Sequence, residues 1–167
     1  NMTYANISTA DVSKVTDMTG MFGSNFALET VELGEFNTAS LMYAEGMFSD
    51  CGELRELDLS NMKMGKVKSM RRMFGYDGSL QTLNVSGWDT SNVTDMSEAF
   101  ADCRLLEELD VSSFDTARVE NFYGAFSGLA FVTALDVGHF DTSAATNMDS
   151  MFDGNFSLTT LDVSGFN

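Results

Sequence analysis

The sequence predicts an α/β repeat solenoid with a parallel sheet of about seven short strands on one face and short helices on the other. Three observations carry this prediction. The chain aligns with itself at a 26-residue offset from Met2 to its end, without insertion or deletion. Each unit opens with the apolar alternation of a short strand. Each then continues with apolar residues three or four apart, the spacing of one buried helical face. The chain thus reads as one domain, 1–167, with repeats 2–27, 28–53, 54–79, 80–105, 106–131, 132–157 and a partial unit, 158–167. A single unit cannot bury its apolar face alone, whereas stacked units share a continuous core.

The strand comes first. Leu80, Leu83 and Val85 typify an L-x-x-L-x-V opening in which apolar residues two apart face inward. Five positions after the second of the opening apolar residues stands a large side chain, Phe36, Met62, Trp88, Phe114, Phe140 or Phe166, expected to anchor the turn that leaves the strand. An Asx-Thr pair follows in most units (Asn37-Thr38, Asp89-Thr90, Asp115-Thr116, Asp141-Thr142) and reads as a capped turn into a helix. The chain has no proline, so this cap replaces proline as punctuation. The predicted helix is illustrated by Val93, Met96, Ala99 and Phe100. Its aromatic position is invariant (Phe22, Phe48, Phe74, Phe100, Phe126, Phe152), which predicts a phenylalanine spine through the stack. Methionine fills the preceding positions (Met18, Met70, Met96, Met148 and Met21, Met47, Met73, Met151), where an adaptable core filler explains it better than a metal or haem ligand.

Composition narrows function. With 25 acidic against 9 basic residues the formal net charge is −16, a field that repels nucleic-acid phosphates and anionic membrane faces. No stretch has the length and apolarity of a membrane span, and the N-terminus lacks the order of a signal peptide. His139 is the only histidine. No G-x-S-x-G, H-E-x-x-H or phosphate-loop motif occurs, so no catalytic residue, metal or cofactor is expected.

The pattern L-x-x-L-D-V-S-x-F-D-T-S-x-V-T-x-M-x-x-M-F, best matched by Leu80 to Phe100, resembles the 26-residue repeat of the BspA-like leucine-rich-repeat surface proteins, also described as DUF285. The resemblance spans essentially the whole chain. It implies a leucine-rich-repeat-like fold and an extracellular or cell-surface, adhesin-like molecule that recognises a protein or glycan. The expected function is therefore non-enzymatic binding. The alternative is a structural spacer or filament subunit, because the chain starts and stops within repeats and its solenoid ends would be uncapped. Partners would then be further copies of itself.

Departures from the repeat mark candidate sites. Repeat 54–79 replaces Phe-Asp-Thr with Met62-Lys63-Met64 and holds Arg55, Lys63, Lys66, Lys68, Arg71 and Arg72, six of the nine basic residues. These form a candidate contact for an anionic partner; the alternative is that they neutralise acidic neighbours, since Arg71 aligns with Glu45 and Arg55 with Glu29. The outward strand position carries Glu32, Asp58, Asn84, Asp110, Asp136 and Asp162, either a weak cation-binding face or a hydrated, solubilising one. Cys51 and Cys103 occupy equivalent positions two repeats apart, too far for a disulfide, and should be free thiols in structural positions. Sequons at Asn1, Asn6, Asn84, Asn92 and Asn155 offer glycosylation sites if the source is eukaryotic, with Asn92, Asn84 and Asn6 the candidates.

Overall fold

The computed structural model describes residues 2–167, so the sequon at Asn1 lies outside the described residues. It corrects the predicted architecture while retaining the 26-residue register. Six strands of three residues form: β1 (Tyr4–Asn6), β2 (Thr30–Glu32), β3 (Glu56–Asp58), β4 (Thr82–Asn84), β5 (Ala134–Asp136) and β6 (Thr160–Asp162). They pair in parallel as three separate two-stranded sheets, β1–β2, β3–β4 and β5–β6. Partners lie one repeat apart, as in Leu57 opposite Leu83. Repeat 106–131 contributes no strand. No helix occurs among the described residues. The expected α/β solenoid, a continuous sheet backed by helices, is therefore not what the chain forms.

The strands are short for a local reason. The last residue of β1, β3, β4, β5 and β6 is Asp or Asn, and its Oδ1 accepts the amide two residues on: Asn6 from Ser8, Asp58 from Ser60, Asn84 from Ser86, Asp136 from Gly138 and Asp162 from Ser164. Asp110 does the same with Ser112. Each is an Asx turn, which gives the backbone an alternative to extending the ladder.

The helices are absent because the backbone amides go elsewhere. In the first repeat the amides of Met18, Gly20, Phe22 and Ser24 donate to the carbonyls of Tyr43, Glu45, Met47 and Ser49 in the next repeat at 2.7–3.0 Å. The intervening amides of Met21 and Gly23 close three-residue turns onto Met18 and Gly20. Every other donor thus crosses to the neighbouring repeat, whereas an α-helix sends each donor four residues back along its own chain. The crossing geometry requires left-handed backbone every fourth residue, as at Gly20 (φ 63°) and Ser24 (φ 59°), which no α-helix interior accommodates. Single parallel bridges Asp17–Tyr43–Ser69–Asp95–Asn121–Asn147 run through the same region.

The spine forms as predicted. Phe22, Phe48, Phe74, Phe100, Phe126 and Phe152 stack with ring centroids 5.2–6.0 Å apart. Trp88, Phe114 and Phe140 flank it. The apolar opening residues Leu80, Leu83 and Val85 are buried, as are six of the eight spaced methionines; Met21 and Met148, in the first and last full repeats, are exposed. Repeats are also joined by buried threonines. Thr90 Oγ1 donates to the Asp115 carbonyl and accepts the Asp115 amide, both at 2.8 Å. Thr38 with Lys63 and Thr142 with Asn167 repeat this reciprocal pair, and Thr116 Oγ1 donates to the Asp141 carbonyl.

Candidate binding surface

Repeat 54–79 holds its cations in more than one place. Arg55, Lys63, Lys66, Lys68 and Arg71 are exposed and Arg72 is half-buried. They are not gathered into one patch. Lys63 and Lys66 border a depression of about 390 Å³ with Met62, Met64 and Asp89. Arg71 and Arg72 border a cleft of about 350 Å³ floored by Gly20, Gly23 and Gly46 and edged by Ser24, Glu45 and Ser49. Arg71 also faces a groove of about 250 Å³ with Asp95, Asn121, Tyr123 and Asn147 on the opposite side.

Of the six cations only Arg72 forms an ion pair among the described residues, Nε to Glu98 Oε2 at 3.5 Å. Neither Arg71–Glu45 nor Arg55–Glu29 comes within salt-bridge distance among those residues. The Arg72 guanidinium also lies 4.8 Å from the Tyr76 ring centroid, a cation–π contact. The Tyr76 hydroxyl donates to Glu98 Oε1 at 3.0 Å. Burial first and the Glu98 carboxylate second raise the Tyr76 phenol above its ordinary pKa. Sequence reasoning missed Tyr76 and Glu98. The available signal was Tyr76 itself, the one aromatic at a repeat position otherwise held by Ser24, Asp50, Asp102, Gly128 and Gly154.

The acidic column is placed on the exposed side of the strands and has a local task. Asp58, Asp110, Asp136 and Asp162 each commit Oδ1 to the turn amide described above. Hydrogen bonds from Ser60, Ser112 and Ser164 hold the Asp58, Asp110 and Asp162 carboxyls below the usual range. Among the described residues no group of three or more His, Cys, Asp or Glu is arranged to hold a metal ion.

Cys51 and Cys103 are buried free thiols. Their Sγ–H groups donate to the carbonyls of Phe22 and Phe74 in the preceding repeats at 3.3 and 3.1 Å. Burial pushes the Cys51 thiol up to about 12, with the Asp77 carboxyl adding to it, and the same causes hold the Cys103 thiol well above its ordinary value. Such thiols are poor nucleophiles. His139 is exposed beside Phe140, which its ring meets edge-on at 5.0 Å.

The candidate sequon asparagines differ in their engagement. Asn92 Nδ2 donates to the Gly65 carbonyl at 2.9 Å while its Oδ1 accepts from Arg118. Asn6 Nδ2 meets only side chains, Tyr4 and Glu32. Asn84 uses Oδ1 for its turn. Among the described residues no helix is long and apolar enough to cross a membrane.

Residues 1–82 and 77–167 match the sequence profile of a family described as Mycoplasma protein of unknown function, DUF285. Comparison with curated proteins and with solved structures finds no match.

Proposed function

The chain belongs to the DUF285 family, and from that premise we propose that it is a non-enzymatic, adhesin-like binding module of a cell-surface or secreted protein, recognising an extracellular protein or glycan through repeat 54–79. The BspA-like character of the Leu80–Phe100 motif supports the surface placement. One observation carries the binding reading: six of the nine basic residues lie in one repeat of a chain of net charge −16, and five of those six have no ionic partner among the described residues. Cations left unpaired in so acidic a molecule remain free for an anionic ligand, whereas cations recruited for self-neutralisation would be paired. The partner is accordingly an acidic protein surface or a sulfated glycan, met from more than one side of the repeat.

The test is binding of the 167-residue chain to a panel of extracellular proteins and sulfated glycans, beside a variant in which Lys63, Lys66, Lys68, Arg71 and Arg72 become Gln. The expected result is binding that weakens with salt and is lost in the variant. A ligand bound equally by both chains would overturn the assignment to this repeat. Absence of binding by either would overturn the adhesin-like function.

A further inference from the structure

The repeat position occupied by Asn25, Cys51, Asp77, Cys103, Leu129 and Asn155 forms an internal ladder. Its side chains reach the carbonyl of the spine phenylalanine one repeat back: Cys51 to Phe22, Cys103 to Phe74 and Asn155 to Phe126, each pair 29 residues apart. Asn155 shows the full two-ended link. Its Oδ1 accepts the Leu129 amide at 2.8 Å, and its Nδ2 donates to the Phe126 carbonyl at 3.0 Å.

Asp77 makes the first half of this link and leaves the second open. Its Oδ1 accepts the Cys51 amide at 2.6 Å, the counterpart of Asn155 and Leu129. Its Oδ2 is buried and has no hydrogen-bond partner, and the whole residue is 0% exposed. The carbonyl that stands 29 residues back is that of Phe48, which accepts no hydrogen bond among the described residues. By the equivalence of repeat positions, Oδ2 of Asp77 corresponds to Asn155 Nδ2, a donor, and a carboxyl oxygen donates only when protonated. A carboxylate there would set two acceptors against each other in a buried site, the costliest way to leave a polar group.

We infer that Asp77 is held in the fold as a neutral carboxylic acid whose Oδ2–H donates to the Phe48 carbonyl, making the joint between repeats 28–53 and 54–79 a pH-sensitive latch. The surroundings agree. The titratable groups facing Asp77 are Asp50 and Cys51 from the preceding repeat and Cys103, with Asp102 beside it, from the following one. All are acids, and none supplies a cation to stabilise a carboxylate. Burial first, then the Asp50 charge, push the carboxyl from 3.8 up to about 8 against the lowering hydrogen bond from Cys51. Because the folded value lies above the unfolded one, the latch contributes fully below about pH 3.8 and is lost as pH rises through about 8.

The experiment compares urea unfolding midpoints of the intact chain, D77N and D110N across pH 4 to 9. Asparagine reproduces the two-ended link at every pH, so the excess stability of D77N over the native chain should open from near zero at the acid end and level off above about pH 8. D110N should show no such gap. A gap independent of pH, or D77N weaker throughout, would overturn the inference. The native chain provides a second reading that survives failure of D77N to fold. Its infrared spectrum at pH 6 should contain the carbonyl stretch of a buried protonated carboxylic acid, bleaching with a midpoint near 8; absence of that band at pH 6 overturns it equally.

Discussion

Repeats 54–79 and 80–105 are neighbours with the same core and different corners. Phe74 and Phe100 occupy one spine and are both fully buried. At the corner, however, repeat 80–105 has Asp89, whose Oδ1 accepts the Ser91 amide at 3.1 Å, and Thr90, reciprocally bonded to Asp115. Repeat 54–79 has Lys63 and Met64 there instead, and Met64 is buried without a hydroxyl to bridge to the next repeat. The repeat that concentrates the cations is the one that gave up these polar links. Core positions are thus constrained by stacking in every repeat, whereas corner positions can be exchanged for surface chemistry where packing compensates.

The sharpest check on the shared core is Phe→Ala in each repeat. Phe100 stacks on Phe74 and Phe126 at 5.5 and 5.6 Å, and Phe74 on Phe48 and Phe100 at 5.9 and 5.5 Å. Both substitutions should cost about 3–5 kcal/mol in urea unfolding. A large difference between them would break the claim that the two repeats share one core. Phe152 is only partly buried and should cost less.

The corners should separate the two repeats at a smaller scale. Thr90→Val keeps the shape and removes the hydroxyl, leaving the Asp115 amide and carbonyl without their partner; about 1–3 kcal/mol should be lost. Met64→Leu in repeat 54–79 conserves volume and disturbs no hydrogen bond, so it should cost less than about 1.5 kcal/mol. Equal costs at the two positions would show that the threonine link adds nothing to packing.

Acid should attack the corners and spare the spine. Serine hydrogen bonds lower the carboxyls of Asp58, Asp89, Asp110, Asp141 and Asp162 from 3.8. A depressed folded value means that each contributes above the unfolded pKa and that the contribution is lost as pH falls through the folded one. Stability should therefore drop below about pH 4. Combined Asp→Asn changes at 89, 110 and 141 should flatten that acid limb, because asparagine already performs the same turn at Asn6, Asn84 and Asn121. Thermal midpoints between pH 2 and 5 measure it, and an unchanged acid limb would place its origin elsewhere.

The sequence made some of this legible. The 26-residue register, the phenylalanine spine and the free thiols follow from equal repeat length and identical columns. The helices were misread because Met-x-x-Met-Phe has the spacing of a helical face, and periodicity reports which residues are buried, not where their amides point. Glycine at 20, 46 and 124, equivalent positions in three repeats and all at positive φ, was the contrary signal. A continuous sheet was expected because Asp and Asn were read as an outward surface column and not as the turns that stop each short strand. For the candidate site, the identity of the six cations was visible, but the distribution of four of them, Lys63, Lys66, Arg71 and Arg72, over separate concavities depends on which side of the repeat each residue faces.

Lys63→Asp is the finest test of the comparison, because it restores the repeat's own letter at the corner of repeat 54–79. The new carboxylate is positioned to accept the Gly65 amide as Asp89 accepts that of Ser91. Against that gain stands repulsion from Asp89 in the next repeat, roughly 1 kcal/mol or less between hydrated charges. The two effects nearly offset, so the unfolding free energy should change by no more than about 0.5 kcal/mol, as for ordinary surface changes. The same substitution removes a cation from the Lys63–Lys66 depression and adds an anion, so salt-sensitive ligand binding should fall clearly while stability stays level. Binding and stability falling together would mean that Lys63 serves the fold, and the division between core columns and exchangeable corners would have to be redrawn.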